Sequence, residues 1–181
     1  MRRRRLLAIV LALLVAGVAA FAAWRAWSPS PGGPPMAPAD TTGEGVRAVT
    51  LWFANEEGDS LVAVSQPMVE REGLHERVAA LVDALVRDGA RRAVPTLPAG
   101  TGVLHVYLDD RGLLVLDLSR AFTQGFHGGS RAEWLAVGSL VRTLGANVPE
   151  AQRVLLTCDG GPLASLGGHV PLDRPLEIQD W

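Results

Sequence analysis

The chain of 181 residues contains no lysine and a single cysteine. All 17 of its basic residues are therefore arginine. One cysteine, Cys158, excludes a disulfide within the chain. Because Cys158 ends an apolar stretch, we predict that its thiol is buried and unreactive.

Recognisable catalytic and metal-binding motifs are also lacking. The four histidines are His75, His105, His127 and His169. No two of them, and no histidine with the cysteine, fall at zinc-ligand spacing. His127-Gly128-Gly129 is similar to the oxyanion loop of lipases, but the required Gly-x-Ser-x-Gly elbow is missing. We therefore predict that the protein is not an enzyme and uses no cofactor and no metal.

Charge is distributed unevenly along the chain. The first 27 residues hold five arginines and no acidic residue, whereas the remainder holds 12 arginines and 19 acidic residues. An acidic domain repels phosphate backbones, and no basic stripe offsets this repulsion. Nucleic acid is therefore excluded as a partner.

The N-terminus has the pattern of a membrane anchor. Four arginines at 2–5 precede the apolar run 6–24, and about 20 apolar residues span the ~30 Å hydrocarbon core of a bilayer. Arginine-rich ends stay in the cytoplasm. Residues 1–27 thus predict a cytoplasmic cluster and a single transmembrane helix in the inner membrane, with an extracytoplasmic, periplasmic domain beyond it. A cleaved signal peptide is the alternative, because small residues occupy positions 18–23.

A linker separates this segment from the folded part. Residues 28–45 are rich in proline and glycine and contain almost no large apolar side chain, so they cannot form a core. We predict one domain over 46–181.

The rest of the sequence alternates between strand and helix patterns. β-Branched and aromatic runs with turn residues between them predict strands, and apolar residues at helical spacing predict helices. The predicted order is β-β-α-β-β-α-β, an α+β fold with a mixed or antiparallel sheet and two helices packed on it. The strands are expected at 49–53, 61–64, 103–108, 113–118 and 153–157, and the helices at 74–88 and 130–144.

The second helix has the clearest signals. Ser130 and Glu133 are spaced as a capping box, with Ser130 as the N-cap. Trp134 shares a helix face with Val137 and Val141, so we predict that Trp134 is part of the core. Gly89 is expected to stop the first helix.

The ordered set of motifs resembles the GerMN ("germane") family, named after a germination and sporulation protein. The resemblance runs from Val46 to Pro175. It rests on an ordered set of six motifs. They are the opening strand (49–53), the Pro-x-Gly-Thr connector (98–101), the Asp-Leu-Ser strand end (117–119), the glycine pair before the second helix (128–129) and the two C-terminal turns (159–160 and 168–169). One departure is Ala90, where the family usually has proline.

The resemblance implies a non-catalytic, membrane-anchored envelope module that mediates protein–protein contacts in a sporulation- or germination-like assembly. Its partners would be cell-envelope proteins. The alternative is a domain that binds peptidoglycan, another glycan or a small ligand. Exposed aromatic residues and polar glycine turns suit either role. The interaction surface is predicted at Trp52, Asp159, Gly160, Gly168 and His169.

Overall fold

The computed structural model describes residues 45–181, and the predicted order of elements is confirmed within them. Four short elements add to it: one short helix before the second main helix, two short strands near the C-terminus and a final 3-10 turn. The elements are β1 (Val46–Ala54), β2 (Leu61–Val69), α1 (Leu74–Gly89), β3 (Val103–Leu108), β4 (Leu113–Leu118), α2 (Ala121–Gln124), α3 (Ser130–Asn147), β5 (Arg153–Cys158), β6 (Gly161–Pro162), β7 (Leu176–Glu177) and the 3-10 turn Ile178–Asp180.

The predicted anchor or signal peptide and the linker, apart from Gly45, lie outside the described residues. Within 45–181, no helix combines the length and the hydropathy that a membrane-spanning segment needs.

The strands form two sheets rather than one. β1 and β2 make a separate antiparallel hairpin, whereas β3, β4, β5 and β6 are neighbours in that order, with β7 also paired to β5. β4 and β5 run parallel, because the connection between them passes through α3 and returns to the same end of the sheet. The larger sheet is therefore mixed, as predicted, and α1 and α3 are the two main helices.

One hydrophobic core joins the hairpin, both main helices and one face of the larger sheet. Over residues 113–116 of β4 and 153–157 of β5 the buried residues alternate with half-buried ones, as the period of two in a strand requires. The core side chains include Leu51 and Phe53 of β1, Val78, Leu81 and Leu85 of α1, Leu114 and Leu116 of β4, Val137, Leu140 and Leu144 of α3, and Val154 and Leu156 of β5.

Polar side chains of α3 bind the edge of β1 that faces away from β2. Asn147 Oδ1 accepts a hydrogen bond from the Thr50 amide at 3.1 Å, and Asn147 Nδ2 donates to the Thr50 carbonyl at 2.7 Å. Thr143 Oγ1 accepts from the Trp52 amide at 3.0 Å, and Ser139 Oγ donates to the Trp52 carbonyl at 2.6 Å. Helix α3 therefore takes the place of a third strand beside the hairpin.

The spacing of these residues explains the arrangement. Ser139, Thr143 and Asn147 are four residues apart, so they lie along one face of the helix. Alternate residues of an antiparallel strand direct their backbone groups away from the partner strand, and Thr50 and Trp52 are such residues. All three polar side chains are buried, so each hydrogen bond satisfies a backbone group that has little access to water.

The start of α3 differs from the predicted capping box. Gly129 is the N-cap, and no side chain caps the helix. Ser130 is the first helical residue, and Glu133 is fully buried. The capping box is therefore wrong, because the Glu133 carboxylate binds a distant loop instead of the helix start. Gly89, expected just after α1, is its last residue.

We predict that Thr143→Val lowers the free energy of unfolding by about 1–3 kcal/mol, the usual penalty for an unpaired buried donor. Valine keeps the shape of threonine but leaves the Trp52 amide without its acceptor. Chemical denaturation followed by circular dichroism measures the change. Thr50→Val is the matched control, because no hydrogen bond of its hydroxyl is found among the described residues. Equal losses in both variants would contradict the role of the α3 hydroxyl.

Candidate functional site

The larger sheet has one face without a helix packed on it. Both main helices lie against the face that carries Leu114 and Leu116 of β4. Across the opposite face, the register aligns Tyr107, Val115 and Leu155 of β3, β4 and β5 in one row. Tyr107 is 64% exposed, and the other two are half-buried. We call this the outer sheet face.

The composition of the outer sheet face is unusual for a surface. A sheet with one solvated face normally presents polar residues there. Here the row of Tyr107, Val115 and Leu155 is apolar, and the half-buried Leu113 lies two residues from Val115 on the same face. Tyrosine is enriched in protein interfaces. An apolar strip of this kind on a sheet is a surface suited to contact with another molecule.

A polar row borders the apolar one. The register aligns His105, Asp117 and Thr157. The buried Asp117 carboxylate accepts hydrogen bonds from Thr157 Oγ1 and the Gly160 amide, both at 3.0 Å, and lies 3.2 Å from His105 Nδ1. Burial raises the pKa of the Asp117 carboxyl, but the hydrogen bonds from Gly160, His105 and Thr157 outweigh it and hold the pKa below its ordinary value.

Two of the predicted surface residues, Asp159 and Gly160, lie at the end of this polar row. They form the two-residue turn between β5 and β6, with φ of 55° and 74°, and this backbone favours an Asp-Gly pair. The Gly160 amide anchors the turn to Asp117. Asp159 pairs with Arg120 through Nε at 3.0 Å and through its terminal nitrogen.

Cys158 precedes this turn and is only half-buried. Its Sγ lies 3.6 Å from the Ser119 carbonyl and 3.7 Å from the Thr123 hydroxyl. The prediction of a buried thiol is therefore only partly right, because Cys158 is the last residue of β5 and is followed by the exposed turn of Asp159 and Gly160.

The other predicted residues, Gly168 and His169, belong to a separate cluster around Glu133. The fully buried Glu133 carboxylate accepts hydrogen bonds from the Leu166 amide at 2.9 Å and the His169 amide at 2.8 Å, and lies 3.1 Å from His169 Nδ1. Among the described residues, no hydrogen bond or ion pair joins this cluster to Asp159 or Gly160. The loop of Gly168 and His169 is thus held against the start of α3.

The environment of Glu133 keeps it ionised. Burial raises the pKa of its carboxyl, but hydrogen bonds from the backbone amides of the loop dominate and lower the pKa to about 2. A carboxylate with this many donors is a fixed structural anion.

The tryptophans differ from the predictions. Trp52 is half-buried, and the Arg142 guanidinium lies over its ring at 4.5 Å from the centroid, so this ring is already covered. Trp134, predicted in the core, is 39% exposed and stacks on Trp181. The helical spacing predicted the wrong face for Trp134, because the buried side of α3 includes the polar stripe of Ser139, Thr143 and Asn147. Tyr107 was missed, although its place in an apolar strand with a polar turn on one side was visible.

The described residues contain no group of three or more histidine, cysteine, aspartate or glutamate side chains placed to hold a metal ion. The contacts of Asp117 and Glu133 position backbone and turns. The outer sheet face therefore carries an apolar row bordered by the hydrogen-bonded Asp117 cluster, and the Glu133 cluster is separate from it.

Comparison with protein families gives a clear match. The Germane family model, described as sporulation and spore germination, matches residues 50–164. No curated protein matches the chain in sequence.

Solved structures from Bacillus subtilis and Clostridium perfringens share the fold. The tandem GerMN domains of the sporulation protein GerM from Bacillus subtilis align with a TM-score of 0.61 and 20% identity, over 75% of this chain and 48% of that one. The chain thus spans about half the length of the tandem protein. The first GerMN domain of the same protein aligns with a TM-score of 0.56 and 20% identity, over 74% of this chain and 99% of that one. A Clostridium perfringens protein described as a lipoprotein aligns with a TM-score of 0.53 and 19% identity, over 75% of this chain and 90% of that one.

We predict that Glu133 makes stability depend on pH in the acid range. The pKa of Glu133 in the folded protein is about 2, below the ordinary value of 4.5. The contribution of Glu133 to the free energy of unfolding is therefore complete above the unfolded pKa and is lost as pH falls from about 4.5 to 2. The shift corresponds to about 3 kcal/mol. Denaturation midpoints between pH 2 and 7 measure it.

Glu133→Gln should be less stable at pH 7 and should show a flatter pH profile. Glu150→Gln, at an exposed glutamate, is the matched control and should retain the wild-type profile. A Glu133→Gln profile as steep as that of the wild type would contradict the assignment.

Proposed function

This chain belongs to the Germane (GerMN) family, and we propose that it is an envelope module that binds another envelope protein through its outer sheet face and catalyses no reaction. The family is linked to sporulation and spore germination and is not known as catalytic. The proposed setting is an assembly of the sporulation or germination type.

Two observations support an extracytoplasmic location. The arginine cluster and apolar run at 2–24 have the pattern of an inner-membrane anchor with the C-terminal domain outside. One solved structure of the same fold is described as a lipoprotein, and lipoproteins are attached to membranes. The domain would then meet its partner in the space between membrane and cell wall.

The observation that carries the proposal is the apolar row of the outer sheet face. Tyr107, Val115 and Leu155 lie side by side on three paired strands. They do not pack against the main core, so their apolar surface is available to a partner. Interfaces typically centre on such apolar and aromatic side chains with polar residues around them.

The polar row gives this surface a defined border. His105 is 84% exposed at its side chain, and it is oriented by the buried Asp117. Arg120 and Asp159 add an exposed ion pair at the adjoining turn. A partner with an apolar centre and hydrogen-bonding groups at one side would match this pattern. Attachment to the membrane raises the local concentration, so a weak contact would be sufficient.

Site-specific photo-crosslinking in the host membrane tests the proposal. A benzophenone amino acid at position 107 of the full chain should form a discrete adduct with a protein. The adduct should be sensitive to protease and insensitive to muramidase. Adding Val115→Lys places a charge at the centre of the surface and should reduce the yield about tenfold, the effect of losing about 1.4 kcal/mol of binding.

The matched control carries the same crosslinker at position 83. The side chain of Asp83 is 67% exposed on α1, away from the outer sheet face, and should give no such adduct. The thermal unfolding of the Val115→Lys variant verifies that it is folded. The same adducts from positions 107 and 83, or no protein adduct from position 107, would reject this surface as the binding site.

A further inference from the structure

Trp134 and Trp181 form an aromatic platform on α3. Trp134 lies in the second turn of the helix, and Trp181 stacks on it with ring centroids 5.8 Å apart and an angle of 27° between the planes. Trp134 remains 39% exposed although Trp181 covers part of it. An exposed tryptophan of this size is a large apolar surface for a small domain.

The platform is held rigidly from behind. Gly138 lies one turn after Trp134, and a Cβ at this position would come within 2.8 Å of Leu61 and 3.1 Å of Trp181. At Gly145, two turns further, a Cβ would come within 2.4 Å of Ile178. Glycine at both positions therefore lets the C-terminal segment lie against α3. This close packing fixes the Trp181 ring beneath Trp134.

Two exposed side chains of opposite charge, Arg131 and Asp59, lie on the same side of the domain as the platform. Arg131 is exposed one turn before Trp134. Asp59 lies two residues before Leu61 of β2, and Leu61 packs with Leu135 of α3, one turn after Arg131. Both charged side chains therefore lie near the start of α3. The Asp59 carboxylate is fixed by Asn55 Nδ2 at 2.8 Å. The rim thus offers donors on Arg131 and acceptors on Asp59.

These features match the chemistry of a sugar ring. A pyranose has a flat face of C–H groups that stacks on an aromatic ring, and its hydroxyl groups both donate and accept hydrogen bonds. The charges of Arg131 and Asp59 cancel, so the rim favours an uncharged ligand. An acidic ligand would also be opposed by the excess of acidic residues in the domain.

We propose that Trp134, backed by Trp181 and bordered by Arg131 and Asp59, is a binding site for a pyranose ring of an uncharged glycan. The site does not involve the outer sheet face and does not depend on the function proposed for it. It also differs from the glycan site expected from sequence, since Trp52 is covered by Arg142 and the loop of His169 is bound to Glu133.

Indole NMR of the full-length chain in detergent micelles tests this site. The five tryptophans give five Nε1–H signals, which single substitutions assign. Titration with the tetrasaccharide of β-1,4-linked N-acetylglucosamine should shift the Trp134 and Trp181 signals and leave the Trp52 signal unchanged. A dissociation constant of about 1 mM corresponds to ~4 kcal/mol of binding, which is realistic for one stacked ring.

Two variants make the test specific. Trp134→Ala should abolish the shift of the Trp181 signal, with an unchanged Trp52 signal as evidence of folding. Arg131→Ala, a change at an exposed residue that leaves the core intact, should weaken binding about tenfold. Crosslinking from position 107 should persist in both variants, which separates this site from the outer sheet face. The proposal would be overturned if the Trp134 signal did not shift at a tetrasaccharide concentration of about ten times the expected dissociation constant. An equal shift of the Trp52 signal would also overturn it.

Discussion

The fold depends on the hydrogen bonds between the polar stripe of α3 and the edge of β1. A two-stranded hairpin is marginal by itself, and its free edge would leave backbone groups unpaired in the core. Ser139, Thr143 and Asn147 supply the missing partners for Thr50 and Trp52. The hairpin can therefore pack as a separate sheet without pairing with the larger one.

This constraint determines how the rest of α3 is used. One side of the helix binds β1, the next packs on the inner face of the larger sheet, and Glu133 near its start holds the loop of His169. Gly138 and Gly145 receive the C-terminal segment. Little of the helix remains for solvent, and the exposed part includes Arg131 and Trp134. The helix is oriented with its polar stripe toward β1, and this same orientation places Trp134 on the outside.

Local patterns predicted the elements well, and long-range contacts account for the errors. Strand alternation and helical spacing are properties of neighbouring residues, so both hairpins and both main helices were visible in the sequence. The spacing of Ser130 and Glu133 fits a capping box, but the partners of Glu133 lie more than 30 residues away. The apolar run of β4 likewise did not show which face of the sheet lacks a helix, and so the row containing Tyr107 was missed.

The two proposed surfaces lie on different sides of the larger sheet. Helix α3, which carries Trp134, packs on the inner face, whereas Tyr107 belongs to the outer sheet face. A protein on one surface would not block a sugar ring on the other. Each contact is small, and small contacts bind weakly. When one contact is made, the effective concentration for the other rises. A single domain with two such surfaces could therefore link an envelope protein to a glycan more firmly than either contact would alone.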